Sequence, residues 1–255
     1  MHVFLTSSPC NDDVPAGVNQ PCIFFEKNDF VKNLRARMKP DARLVVVAGD
    51  PYNAPLNDGM ADTFAKCFEY HGLTLSSVEL LDARTEDDAL RMVTESDVVL
   101  LGGGHVPTQN LFLDRIGMRA LLWNYDGVVI GISAGSMNSA STVYAQPEMP
   151  GESVDPEYRK FLPGLRLTDV MILPHYQKVW NMMIDGRRLY EDVTYPDSVG
   201  RQFIAMPDGS YVLDDGEGPV LYGVGHLVSD GKFRTISASD GSTVPISGLY
   251  PPKKG

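Results

Sequence analysis

At 255 residues, 43% of them hydrophobic and 22% charged, the chain is long enough for one large α/β domain or two small ones with a sizeable buried core. Its formal charge of −11 argues against nucleic acid and anionic membrane surfaces as partners, and any anionic substrate would need a local cationic pocket. The three cysteines, Cys10, Cys22 and Cys67, are odd in number and lack metal-ligand spacing, so a reducing cytoplasm is the simplest compartment. The start, Met1 to Thr6, lacks the basic and apolar regions of a signal peptide, and no run approaches the roughly 20 apolar residues of a membrane span.

The predicted elements alternate through the first half. His2–Thr6 reads as a strand and Asn28–Met38 as a helix with Phe30, Val31 and Leu34 on its apolar side. Arg43–Ala48 is a buried strand, Asn57–Tyr70 an amphipathic helix, and Leu73–Leu81 a further strand. Thr85–Asp88 resembles a capping box for a helix running to Thr94. The strand Asp97–Leu101 enters Gly102-Gly103-Gly104-His105, and Thr108–Tyr125 is helical. This rhythm predicts a mostly parallel sheet covered by helices on both faces, with ligands at the carboxyl ends of the strands. Gly49-Asp50, Gly102–His105 and Ser133 all fall at such ends and are expected to share one cleft.

The most informative segment is Asp126–Ser141, DGVVIGISAGSMNSAS. A β-branched run, Val128 to Ile132, turns abruptly into small residues with Gly131 and Gly135 on either side of Ser133. That is the pattern of a nucleophile elbow, in which tight backbone approach requires glycine and the serine hydroxyl is pushed into a cleft. The Ala134 N–H then sits at a helix N-terminus. With an N–H of the Gly-rich turn, Gly103 or Gly104, it could form an oxyanion hole. The turn lacks both GxGxxG spacing and a P-loop lysine, which argues against nucleotide binding.

The second half reads as a strand over Arg166–Pro174, a helix over Lys178–Val193 and a strand over Gln202–Met206. Short strands follow at Tyr211–Leu213, Val220–Val224, Leu227–Val228 and Phe233–Ile236, an antiparallel extension of the same sheet. Residues 1–250 are expected to form one catalytic domain and 251–255 a solvated tail. Serine needs a base. Of the five histidines, His2 and His71 occupy terminal positions and His226 lies between short strands. His175 follows Val170–Pro174, where a strand leaves the sheet, and by position is the best candidate base, with a buried structural histidine as the competing reading.

Taken together, LLGGGH (100–105), GISAGSMN (131–138) and LPHY (173–176) resemble the aspartyl dipeptidase (peptidase E) family. These are serine peptidases on the class I glutamine amidotransferase-like, flavodoxin-like fold, a three-layer α/β/α sandwich; cyanophycinases are relatives. The resemblance runs from about the first strand to Gly231. It implies Ser133 as nucleophile and His175 as base. It puts the triad acid in the loop after the elbow helix, where Glu148 stands, with Glu152 and Asp155 as rivals. His105 replaces an asparagine frequent in the family, and Arg187 falls where the family places a candidate substrate-reading arginine, the competing reading being a solvated helix residue.

The implied activity is hydrolysis of a small peptide, a dipeptide with N-terminal aspartate, through an acyl-enzyme. It would involve no metal or organic cofactor, in a cytoplasmic monomer or homodimer. A cyanophycinase-like β-aspartyl peptidase, an α/β-type esterase using His226, and a non-catalytic binding relative remain as alternatives. The esterase reading is weakened because its oxyanion motif reads HGGG, whereas this chain has GGGH.

Overall fold

The computed structural model describes residues 1–250; the expected tail at 251–255 lies outside the described residues. The central sheet has eight strands in the order Thr243–Pro245, Val220–Tyr222, Tyr211–Asp214, His2–Thr6, Val128–Ile132, Val98–Leu101, Ala42–Val47 and Leu75–Leu81. The five strands from His2–Thr6 onward are mutually parallel, and the other three add antiparallel.

Alternation along the strands divides the core between two faces. Leu44, Val46, Leu100 and Ile130 pack with Phe30, Phe64 and Phe68 from the helices Phe30–Arg35 and Ala54–Tyr70. Val45, Val47, Val99 and Val129 pack with Met92, Phe112 and Leu113 from Ala89–Glu95 and Val106–Arg115 on the other face. The architecture is therefore the expected three-layer, mostly parallel α/β/α sandwich.

Several boundaries depart from expectation for local reasons. Asn28 and Asp29 both hold positive φ, so the first α-helix begins only at Phe30. The expected helix 108–125 starts at Val106 and breaks at Gly117, whose φ is 66°, before a short turn of helix over Met118–Leu121. Thr85 caps no helix; its hydroxyl donates to the Leu80 carbonyl and accepts the Asp82 N–H.

The larger departures lie in the second half. The expected extension of one sheet is instead divided in two. Tyr211–Asp214 and Val220–Tyr222 join the central sheet, but Met171–Leu173, Gln202–Ala205, Gly225–Ser229 and Lys232–Ser237 form a separate four-stranded sheet. Nor is 178–193 one helix. A single turn, Tyr176–Val179, is followed by a hairpin pairing Ile184 with Arg187. The cause is Asp185-Gly186, which takes φ of 49° and 77° in a two-residue hairpin turn.

Candidate active site

Ser133 lies between the buried strand Val128–Ile132 and the short helix Ala134–Asn138, with φ 49° and ψ −109°. A non-glycine residue with this backbone is strained, and its surroundings hold it in place. The Ser133 N–H donates to the carbonyls of Thr6 and Ser7, each at 3.1 Å, on the neighbouring strand end. The flanking glycines are sterically required: a Cβ on Gly131 would lie 2.6 Å from Ser136 Cα, and one on Gly135 would strike the Leu101 carbonyl. Ser136 and Ser139 are fully buried, and their hydroxyls bond to the Thr6 and Gly135 carbonyls.

The Gly-rich turn closes over this serine. Gly103 abuts Ser133, for a Cβ there would lie 3.6 Å from Ser133 Cβ, and Gly104 lines the cleft. Gly49 packs behind the turn, with no room for a side chain against the Gly103 carbonyl. Gly49 thus backs the turn, and neither Gly49 nor Asp50 lines the cleft, contrary to expectation; the Asp50 carbonyl accepts from Asn57 Nδ2.

His175 emerges one residue beyond Pro174, after the strand Met171–Leu173, with φ 55°. That strand pairs in parallel with Gln202–Ala205, Leu173 opposite Ala205. The two chains leave the sheet side by side, which brings Asp208 of the Pro207-Asp208-Gly209 turn against the imidazole. Asp208 Oδ1 lies 2.7 Å from His175 Nδ1. The Ser7 hydroxyl ties the pair to the central sheet, accepting the His175 N–H at 2.7 Å and donating to Asp208 Oδ1 at 2.7 Å. Asp208 Oδ2 accepts from Gln177 Nε2 at 2.7 Å and pairs with Lys178 Nζ at 2.8 Å. Burial opposes ionisation here, but the bonds from His175, Lys178 and Ser7 outweigh it and hold Asp208 well below the usual carboxylate range.

The carboxylate bonded to His175 is thus Asp208, and not Glu148 as the resemblance implied. Glu148 Oε1 accepts the Val106 N–H at 3.2 Å, at the start of the helix Val106–Arg115. Burial pushes its carboxyl above the ordinary range, opposed by that N–H and by nearby His105. The rivals fare no better. Glu152 receives the N–H groups of Glu148 and Met149 and lies 2.7 Å from His105 Nε2, while Asp155 caps the Glu157 N–H. Sequence reasoning missed Ser7 and Asp208. Pro207-Asp208-Gly209 reads as a plain turn, yet it follows an apolar run just as His175 does, and that shared position was the available signal.

Ser133, His175 and Glu148 line one narrow cleft of about 70 Å³, with Gly104, Val106, Met137, Pro174, Met182 and Leu189 among its other walls. Ser133 and His175 are not hydrogen-bonded to each other, as is frequent in resting sites that tighten around substrate. Neither remaining substrate candidate lines the cleft. The ring of His105 is held between Thr108 and Glu152. Arg187 is exposed, donating to the Ser153 carbonyl at 2.8 Å and the Asp192 carbonyl at 3.3 Å.

Fold and site together are those of a mostly parallel α/β sandwich with its chemistry at the strand ends. The model of Peptidase family S51 matches residues 37–218, and the chain belongs to that family. It is a serine-type peptidase of the peptidase E group. Two solved structures share the fold at low identity. A peptidase from an acI-B1 Actinobacterium is 16% identical over 96% of both chains, with a TM-score of 0.61. A putative peptidase E protein from Listeria monocytogenes EGD-e is 17% identical over 86% of this chain and 96% of its own, with a TM-score of 0.57. No curated protein matches the chain. Among the described residues, no helix is long and apolar enough to cross a membrane.

Proposed function

We propose that the chain hydrolyses short peptides through Ser133, His175 and Asp208. His175 takes the Ser133 proton as Oγ attacks the scissile carbonyl, then delivers it to the leaving amine; water repeats the cycle on the acyl-enzyme. Asp208 fixes the imidazole with Nδ1 protonated and stabilises the imidazolium. The N–H groups of Ala134 and of Gly103 or Gly104 receive the oxyanion. The single observation that carries this reading is the His175–Asp208 pair at 2.7 Å, in a histidine that shares its cleft with the strained Ser133.

The narrow, walled cleft favours dipeptides and similarly short substrates over folded protein. Its apolar lining suits an uncharged side chain on the residue that is acylated, and Glu148 stands where the free α-ammonium of that residue would find an anion. The N-terminal aspartate preference implied by the family resemblance is a second reading. It is favoured by the position of Arg187 on the hairpin between Met182 and Leu189, both of which line the cleft. For that preference, Arg187 would have to release two backbone carbonyls and turn inward.

A panel of Leu-Leu, Asp-Leu, β-Asp-Leu, Arg-Leu and N-acetyl-Leu-Leu, on wild type and Ser133→Ala, separates these readings. Cleavage of Leu-Leu by wild type alone, with the acetylated peptide refused, is the expected result. Cleavage of the acetylated peptide as fast as the free one would remove Glu148 from substrate recognition. Preference for Asp-Leu, lost in Arg187→Met, would establish the second reading. Hydrolysis by Ser133→Ala would end the mechanism.

A further inference from the structure

Outside the cleft, the strongest unexplained constellation is a knot of three thiols. Cys10 lies on the two-residue strand Cys10–Asn11, which pairs with Ile23–Phe24 next to Cys22, and Cys67 lies near the end of the helix Ala54–Tyr70. The three sulfurs all lie within 4.8 Å of one another, with Cys22 Sγ and Cys67 Sγ 3.7 Å apart. No disulfide joins them. Cys22 and Cys67 are buried and Cys10 is half-buried.

Packing alone does not call for this convergence. All three pack in or against the apolar core that holds Phe24, Phe64 and Phe68, and among the described residues the only bond from these thiols to the backbone is Cys67 Sγ to the Cys22 carbonyl at 3.3 Å. The linear spacing of the cysteines shows no metal motif because the fold supplies it, joining two strands of an N-terminal strap to a helix some 45 residues further on.

We propose that Cys10, Cys22 and Cys67 form a binding site for a thiophilic d10 cation, Zn²⁺ or Cu⁺. For any triangle of sulfurs with sides up to 4.8 Å, a central point lies no more than about 2.8 Å from each, against a Zn–S bond of about 2.3 Å. Movements of about half an ångström therefore complete the shell. Three thiolates suit trigonal Cu⁺, whereas tetrahedral Zn²⁺ would need a water as its fourth ligand. Each ligating thiol gives its proton to solvent, and no electron moves.

The ion would be structural. It would close the strap on the helix, and the strap begins at Ser7, which holds the His175–Asp208 pair.

The test uses the full chain, reduced and stripped with a chelator, and titrated separately with Co²⁺ as a spectroscopic stand-in for zinc and with Cu⁺ against a competing chelator. One ion per chain is expected, with thiolate-to-metal charge transfer of three-sulfur intensity for cobalt, displacement of cobalt by Zn²⁺, and protection of the thiols from alkylation. Cys10→Ser, at the half-buried position, should weaken binding by about 100-fold or more with the circular dichroism spectrum unchanged. Cys67→Ala should do the same if it folds. Absence of a charge-transfer band for cobalt together with absence of Cu⁺ binding would overturn the proposal. So would a signal that survives in Cys10→Ser.

Discussion

The two walls of the cleft are built differently. The Ser133 wall rests on the central parallel sheet, where strands such as Val98–Leu101 and Val128–Ile132 run as continuous buried apolar segments and close glycine packing dictates a single backbone path. The His175 wall rests on the smaller sheet, on a strand of only three residues, Met171–Leu173. There the geometry depends on side-chain bonds that cross between sheets through Ser7 and Asp208. On the serine wall, position is enforced by sterics; on the histidine wall, it is enforced by hydrogen bonds. Substitutions should therefore harm the first through stability and the second through chemistry.

The largest effect separates neither wall, because both are needed. Ser133→Ala and His175→Ala should each lower kcat by roughly 10⁴- to 10⁶-fold, and the double variant should be little worse than either, since the two act as a unit. Thermal unfolding of the same proteins should differ little from wild type. Independent, multiplying losses would show that they serve separate steps.

Asp208→Asn comes next and bears on the second wall alone. It should cost about 10⁴-fold in kcat, as for a triad carboxylate whose removal leaves the wrong imidazole tautomer. Glu148→Gln should instead raise KM more than it lowers kcat. The reverse ranking would restore the acid to the loop after the elbow helix.

On the serine wall, Gly135→Ala should destabilise by about 1–3 kcal/mol or more in urea, because the new methyl meets the Leu101 carbonyl. Gly59→Ala, whose added methyl meets nothing within 4 Å, is the control and should be neutral or stabilising. Equal effects would mean that the elbow tolerates crowding.

The smallest effect is a pH dependence. The native carboxyl of Asp208 is held below its unfolded value of about 3.9, so its contribution to stability is complete above that pH and is lost as pH falls through the depressed native value. The stability gap between wild type and Asp208→Asn should be constant near neutrality and shrink on acidification. A gap that widens in acid would contradict the pairing.

The same contrast explains what was legible in the sequence. The parallel strands, the strained serine and its flanking glycines follow from local pattern, since runs such as Val128–Ile132 and the crowding at Gly131 are written in adjacent residues. His175 was legible from its place at a strand end. Asp208 was not, because its partnership depends on the parallel pairing of Leu173 with Ala205, a register between segments about thirty residues apart. The helix expected at 178–193 fails for a nearer reason: Asp185-Gly186 takes a two-residue hairpin turn that reverses the chain inside it. The cysteine knot was invisible for the same cause as Asp208, as only tertiary pairing brings its members together.

The central claim, that Ser133 is activated by a histidine held by Asp208, is tested most directly without a substrate. The measurement is the rate at which a fluorophosphonate modifies the protein, with the modified residue located by mass spectrometry, for wild type, Asp208→Asn and Glu148→Gln. The account predicts modification at Ser133 alone, fast in wild type and Glu148→Gln and slowed by orders of magnitude in Asp208→Asn. Modification at Ser136 or Ser139, or a Glu148→Gln protein as slow as Asp208→Asn, would contradict it.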